Sequence, residues 1–429
     1  MEASHPLDAD DARILKLESA AVAGHTLKMV VLGPGGAPLD IDRLRESVDA
    51  RLGTGSPGRA RLALPDPRWV PDDGFDVGAH VRRREGTAGI GERGVWTVAG
   101  ELMSERLDHG RPLWAFDLVG PLSDGREAIV ARVHHAMADG ISCLRFLDEV
   151  LWDPADPVPA PPRRTTAPPA AGGPAHELRR LPAALLRELG HRARGSPLDR
   201  RIGAGRELAF VTAPLDELKA IGAARPRRAT VNDVLLAAVC GALRVWPGGS
   251  GGPAGRLRAQ VPVSLHHRDQ DAAGSANRDS FLNVDLPLAE PDPLARLDLI
   301  SRETSARKAA GDAEELYDLF HALACCPPLG RAVEHLVAGP HRFSLAISDV
   351  PGPRAALTVT GRPVQGLYSA AEPAQHHALR VSAISYAGTV GVGVCTDPEA
   401  LPGTGRFADA IGASIAELHG AALGRSPRP

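Results

Sequence analysis

Apolar residues recur along the chain in two rhythms, one near 3.6 and one of 2, and the alternation between them predicts the elements. Ile41, Leu44, Val48 and Leu52 share a helical face, with Asp40 placed to cap its start and Gly53 to end it. Thr230-Val231-Asn232-Asp233 sets an acidic version of the capping-box spacing before the apolar run Val234–Val245. Phe407, Ile411, Ile415 and Leu418 mark a final amphipathic helix. Period-2 alternation predicts strands at Ala128–Val133, Arg258–Val263 and Val390–Val394, with Leu379–Tyr386 joining the last across Ala387-Gly388 as a hairpin. Gly391 and Gly393 alternate with valines on one face of that strand, which predicts close approach by another backbone or a ligand. Helices and short antiparallel pairs in mixed order predict an α+β fold rather than a doubly wound sheet.

The rhythm breaks at Asp153–Ala175, where eight prolines and no periodicity read as an extended linker. The break divides the chain into an N-terminal part, residues 1–152, the linker, 153–175, and a C-terminal part, 176–429. From His176 to Arg201 seven arginines face three acids, and Leu178, Leu181, Leu185 and Leu189 form a stripe. Such a helix either rests on an anionic membrane surface or docks its leucines on the body of the protein.

Composition narrows the classes. Hydrophobics make 43% of 429 residues, enough for a core, and a net charge of −3 gives no basic field for nucleic acid. The lysines are Lys16, Lys28, Lys219 and Lys308; none follows a glycine, which removes a P-loop. Cys143, Cys240, Cys325, Cys326 and Cys395 contain no C-x-x-C pair, so a disulfide framework and an obvious zinc site are not expected. Met1–Asp11 is acidic without an apolar core, and Val234–Leu243 covers only half a bilayer, so the expectation is a cytoplasmic chain that is soluble or rests on a surface.

Among motifs, Gly53-x-Gly55-x-x-Gly58 follows a helix, and Gly89-x-Gly91-x-x-Gly94 follows Arg82-Arg83-Arg84 rather than an apolar strand. Gly248-x-Ser250-x-Gly252 sits in a glycine-rich loop. None has the context that gives its pattern meaning. His134-His135-Ala136-Met137-Ala138-Asp139-Gly140 does: a strand runs into the histidines, and Asp139-Gly140 opens a helix with Ile141, Leu144, Leu147 and Leu151 as its apolar face. Adjacent histidines at a strand end point to opposite sides, one inward as support and one into a cleft. Imidazole is suited to take a proton near neutral pH. Asp139 is placed to hold the loop, and Gly140 to allow a turn. His266-His267 with Asp271 lacks the glycine, and His376-His377 lacks the acid, so neither pair is expected to act directly.

H-H-x-x-x-D-G resembles the motif of the acyl-CoA-dependent acyltransferase superfamily, which includes chloramphenicol acetyltransferase and peptide-synthetase condensation domains. Within it the chain is most similar to the bacterial wax ester synthase/diacylglycerol acyltransferase family. Pro112-Leu113-Trp114 through Gly120 resembles its PLW segment, Asn232-Asp233 its ND motif, and Ser348-Asp349-Val350-Pro351-Gly352-Pro353 its S-N-V-P-G-P motif. Val261-Pro262-Val263-Ser264, Asn277, Leu286-Pro287-Leu288 and Ser385-Tyr386-Ala387-Gly388 follow in order. The chain departs from the pattern at Asp349, where Asn is usual, in a PLW segment one residue short, and at Gly24–Lys28, which lacks P-M-H.

The resemblance implies two similarly folded halves with the active site between them, and an O-acyltransferase that needs no cofactor and no metal. Its partners would be acyl-CoA as co-substrate and a hydroxyl lipid, diacylglycerol or a long-chain alcohol, met at a membrane or lipid-droplet surface. His135 would be the general base, with His134 in support, Asp139 orienting the loop and Gly140 turning it. Pro112, Leu113, Trp114, Asn232, Asp233, Asp349, Pro351, Gly352 and Pro353 would line the substrate channel or hold its frame. A specialised-metabolite hydroxyl or amine as acceptor, and a non-catalytic lipid-binding homologue, stay open as alternatives. The donor for the oxyanion is not identified by the sequence.

Overall fold

The structure, a computed structural model, describes residues 5–7, 9–53, 55–65, 67–154, 196–246, 257–264, 279–310 and 343–424. Nearly all of the Pro-rich and basic stretches, the Gly248–Gly252 loop, His266-His267 with Asp271, Asn277 and Cys325-Cys326 lie outside these residues.

Two six-stranded sheets organise the described residues, beside a small three-stranded sheet of β1 (His5–Pro6), β4 (Arg68–Pro71) and β3 (Ala60–Ala63). The first runs in the order β12 (Thr358–Val359), β13 (Arg362–Ala371), β2 (His25–Leu32), β7 (Glu127–His134), β6 (Trp114–Val119) and β5 (Val81–Arg83). The second runs β10 (Asp279–Leu286), β9 (Leu257–Ser264), β11 (Leu345–Val350), β14 (Leu379–Tyr386), β15 (Thr389–Thr396) and β8 (Glu207–Pro214). Most neighbours are antiparallel; β5 with β6, and β11 with β9 and β14, are parallel. The α+β expectation holds.

Helices α2 (Ile41–Arg51) and α5 (Gly140–Val150) pack on one face of the first sheet against Val30, Leu32, Ile129 and Ala131. Helix α4 (Glu92–Ser104) covers the other face over Leu27, Met29 and Val130. Helices α7 (Val231–Val245), α8 (Pro293–Ala310) and α9 (Thr404–Leu423) pack behind the second sheet. The predicted caps are present. Asp40 accepts from Asp42 and Arg43 N–H, and Thr230 and Asp233 cap each other reciprocally. Ala387 and Gly388 both have positive φ, 42° and 88°, the backbone a two-residue hairpin needs.

Three expectations change. The buried face of α5 is Cys143, Phe146, Leu147 and Val150, while Ile141 and Leu144 are only half-buried. Phe146 decides this by packing edge-on against Trp114, with ring centroids 5.5 Å apart. Arg82-Arg83, set against an apolar strand by its charge, nevertheless lies in strand β5. Acids buried in the sheet make that tenable, since Arg82 pairs with Asp117 and Arg83 with Glu127. Finally, β12 and β13 come from the C-terminal part yet complete the N-terminal sheet, β13 pairing with β2 from Leu32↔Val364 to Thr26↔Ala371. The two parts are joined edge to edge through this strand. A Cβ on Gly391 or Gly393 would run into the carbonyls of Leu367 and Ser369 on β13, so the glycine stripe of β15 serves another backbone.

Candidate active site

His134 closes β7 and His135 follows it. Cross-strand pairing sets His134 opposite His25, and the His135 N–H donates to Gly24 O at 2.9 Å. His134 is fully buried and His135 half-buried, the division expected for adjacent residues at a strand end. Asp139 caps α5 by accepting Ser142 N–H at 2.6 Å. Gly140 begins the helix without a left-handed backbone. What its missing side chain provides is room, because a Cβ there would sit 3.3 Å from Val350 Cγ2. The loop thus meets the Ser348–Pro353 segment, and the site lies on the seam between the two sheets.

The backbone around His135 is clamped from the C-terminal part. Glu372 accepts the N–H groups of Ala23 at 3.1 Å and Gly24 at 2.7 Å, and pairs with Arg206 at 3.5 Å. From the PLW segment, Leu113 O accepts His134 N–H at 3.0 Å. Trp114 is core: its Nε1 donates to Gly58 O at 2.8 Å and its ring stacks on His80. Pro112 is buried beside it.

Behind His134 stand Glu18 and His109. Glu18 Oε1 lies 2.9 Å from His134 Nε2 and 3.1 Å from His109 Nε2, and the three ligand-type atoms fall within 4.8 Å, a grouping that could hold a metal ion. The Ala136 N–H donates to His134 Nδ1 at 3.1 Å, which assigns the ring proton to Nε2. Nε2 therefore faces Glu18 as a donor, though off the ideal line, and metal ligation would set two N–H groups against each other at Nδ1. The trio reads as a close polar support for the His134 ring. Burial opposes the Glu18 charge, but His134, His109 and Arg106 hold its carboxyl below its ordinary value.

Burial, then Arg380, His134 and Lys28, push the His135 imidazole down to about 3. Its ring nitrogens make no hydrogen bond among the described residues. His25, buried without a ring partner among the described residues, is also pushed well down, by burial and then Arg132. Burial raises the thiols of Cys143, Cys240 and Cys395, the last two to about 12. Among the described residues no cysteine is an activated nucleophile.

The remaining motif residues have contacts of their own. Asp233 accepts Thr230 N–H at 2.8 Å and Thr304 Oγ1 at 2.7 Å, tying α7 to α8. Asn232 and Asp349 line a cavity of about 150 Å³ with Thr304 and Lys308. Burial pushes the Asp349 carboxyl up to about 6. In the Pro351-Gly352-Pro353 turn, Gly352 N–H donates to Ser385 Oγ at 3.1 Å, and Pro353 O accepts Ala387 N–H at 3.1 Å. His377, of the third histidine pair, is a packed residue, with Nδ1 3.3 Å from Asp199 and its ring on Phe343.

Glu18, His109, Lys28, Glu372 and Arg380 escaped the sequence reading. Lys28 alone left a signal, a charge inside the apolar strand His25–Leu32. The others join the site through contacts between segments far apart in sequence.

Two such sheets make the fold of condensation domains. The fold matches the first condensation domain of the calcium-dependent antibiotic synthetase with a TM-score of 0.64 at 15% identity, over 100% of this chain and 98% of that one. It matches the wax ester synthase/diacylglycerol acyltransferase from Marinobacter aquaeolei VT8 with a TM-score of 0.74 at 25% identity, over 97% and 99%. The wax ester synthase/diacylglycerol acyltransferase catalytic domain matches residues 7–193, and the WS/DGAT C-terminal domain residues 275–419. The probable diacylglycerol O-acyltransferase tgs1 of Mycobacterium tuberculosis is 30% identical, over 83% of this chain and 82% of that protein. A putative diacylglycerol O-acyltransferase of the same species is 29% identical over 96% of each. The chain belongs to the wax ester synthase/diacylglycerol acyltransferase family, and it is an acyltransferase.

Proposed function

We propose that the chain transfers a long-chain acyl group from acyl-CoA to the hydroxyl of diacylglycerol or a long-chain alcohol, with His135 as general base. The observation that carries this reading is His135 itself: backbone fixed, ring half-buried on the seam, ring nitrogens without a partner among the described residues. Its depressed pKa keeps the imidazole neutral at neutral pH, so a lone pair is available. A base this weak takes the hydroxyl proton only as the new C–O bond forms, when that proton becomes acidic. The raised thiols favour direct attack of the acceptor over an acyl-enzyme.

A lipid acceptor would come from a membrane or droplet surface met peripherally. Among the described residues no helix is long and apolar enough to cross a membrane. The test is thiol release from palmitoyl-CoA with hexadecanol, dioleoylglycerol or no acceptor, with products separated by chromatography. Acceptor-dependent release with the matching ester is the expected result. Silence with both lipids, despite acyl-CoA binding, would turn the reading to another acceptor class.

A further inference from the structure

Lysine is almost never fully buried without an acidic partner, yet Lys28 is 2% exposed. It lies in β2 opposite Ala131 of β7 and Ser369 of β13. Its Nζ donates to Ser369 Oγ at 2.8 Å, and this is its one hydrogen bond among the described residues. An ammonium has three N–H donors, so two are left over. Burial works against the charge first; Cys143 and Asp139 favour it, and Arg380 opposes it. The carboxylate in that set, Asp139, already accepts Ser142 N–H as the cap of α5.

Strand alternation places Lys28 on the same face as Thr26, and across β7 that face carries Ala131 and Val133 before His135. Lys28 and Arg380 are among the cations that hold the His135 imidazole below its ordinary value. Lys28 on this face and the half-buried Arg380 on β14 of the second sheet are two cations beside the seam, with Asp139 and Glu372 as the carboxylates near them.

We propose that Lys28 is the positive charge that stabilises the tetrahedral oxyanion, with Ser369 fixing its ammonium. This rests on the acyl-transfer reading above. The acceptor O–H breaks and its proton goes to His135, while the acceptor oxygen bonds to the thioester carbon and the carbonyl π pair moves onto oxygen. On collapse that pair re-forms the carbonyl, the C–S bond breaks, and the CoA thiolate takes the proton from His135. The oxyanion exists only between these events, so a charge favouring it raises kcat more than it tightens substrate binding. The same ammonium opposes the imidazolium. Its net effect is favourable when it lies nearer the carbonyl oxygen than the ring, a position open to spare donors on a flexible stem. Because Ser369 belongs to β13, the charge is fixed only once the C-terminal strand has docked.

The test compares wild type with Lys28→Met, Lys28→Arg and His135→Ala. Lys28→Met is expected to lower kcat about 10²–10³-fold with the KM for palmitoyl-CoA little changed, to raise Tm by removing an uncompensated buried charge, and to be partly rescued by Lys28→Arg. A second readout needs no turnover. Hexadecylphosphonate, an anionic tetrahedral head on a hydrocarbon tail, should bind wild type at least about tenfold more tightly than Lys28→Met, whereas hexadecanol binds both alike. Wild-type kcat in Lys28→Met, or equal phosphonate affinity, overturns the proposal. Should Lys28→Met not fold, Lys28→Gln and Ser369→Ala carry the same comparison. Lys28-dependent phosphonate binding without acyl transfer by wild type would overturn the acyl-transfer reading instead, leaving an anion site at Lys28.

Discussion

The Glu372 carboxylate accepts the Gly24 N–H at 2.7 Å, and Gly24 returns its carbonyl to the His135 N–H at 2.9 Å. A residue at the end of β13 thereby sets the backbone of the proposed base, 237 positions earlier in sequence.

Glu372→Ala leaves two backbone donors without their acceptor and Arg206 without its ion-pair partner. It should cost about 2–4 kcal/mol in denaturant unfolding and lower kcat by about 10–100-fold. Measuring both on one preparation separates misplacement of His135 from simple loss of fold. Full kcat in a destabilised variant would contradict the link to His135.

Gly24 has a φ of 81°, and a Cβ there would collide with His134 Nε2. Gly24→Ala should therefore lose about 10²-fold or more in kcat and about 1–3 kcal/mol in stability. A variant with normal activity would show that the His134 ring does not need its present place.

Much of this frame was legible in the sequence, because it is local. Asp40, Thr230 and Asp233 announced helix starts, Ala387-Gly388 a hairpin, and His134–Gly140 a strand-to-helix turn at the site. The face of α5 was misjudged because periodicity alone cannot show that Phe146 packs against Trp114. β5 was missed because its arginines have acids buried elsewhere in the sheet. Glu372, Arg380 and the strand exchange through β13 depend on tertiary docking, which leaves no periodic signal.

The pH profile follows from His135. The base acts when neutral, and a folded pKa of about 3 instead of 6.5 keeps it neutral across the neutral range. kcat/KM should show no histidine limb between about pH 5 and 8. Removing a nearby cation, as in Arg380→Met, moves the acid limb upward. A wild-type limb near 6.5 would contradict this environment. For stability the sign is the same: the unfolded state takes the proton first, so stability falls as pH drops below 6.5 towards 3.

Asp349 runs the other way. Its folded pKa of about 6 exceeds the ordinary 3.8, so stability is lost as pH rises from 3.8 through 6. Asp349→Asn should gain about 1–2 kcal/mol at pH 7–8 and nothing below about pH 4. Unfolding curves at the two pH values check this, and an equal gain at both would contradict burial as the cause.

In the proposed reaction His135 takes the acceptor proton. This step is tested most directly by ester formation from palmitoyl-CoA and dioleoylglycerol or hexadecanol, in wild type and His135→Ala, with acyl-CoA affinity measured alongside. Acyl-CoA affinity should be unchanged and ester formation reduced about 10²–10⁴-fold in the variant. Equal ester formation by both proteins would contradict this role.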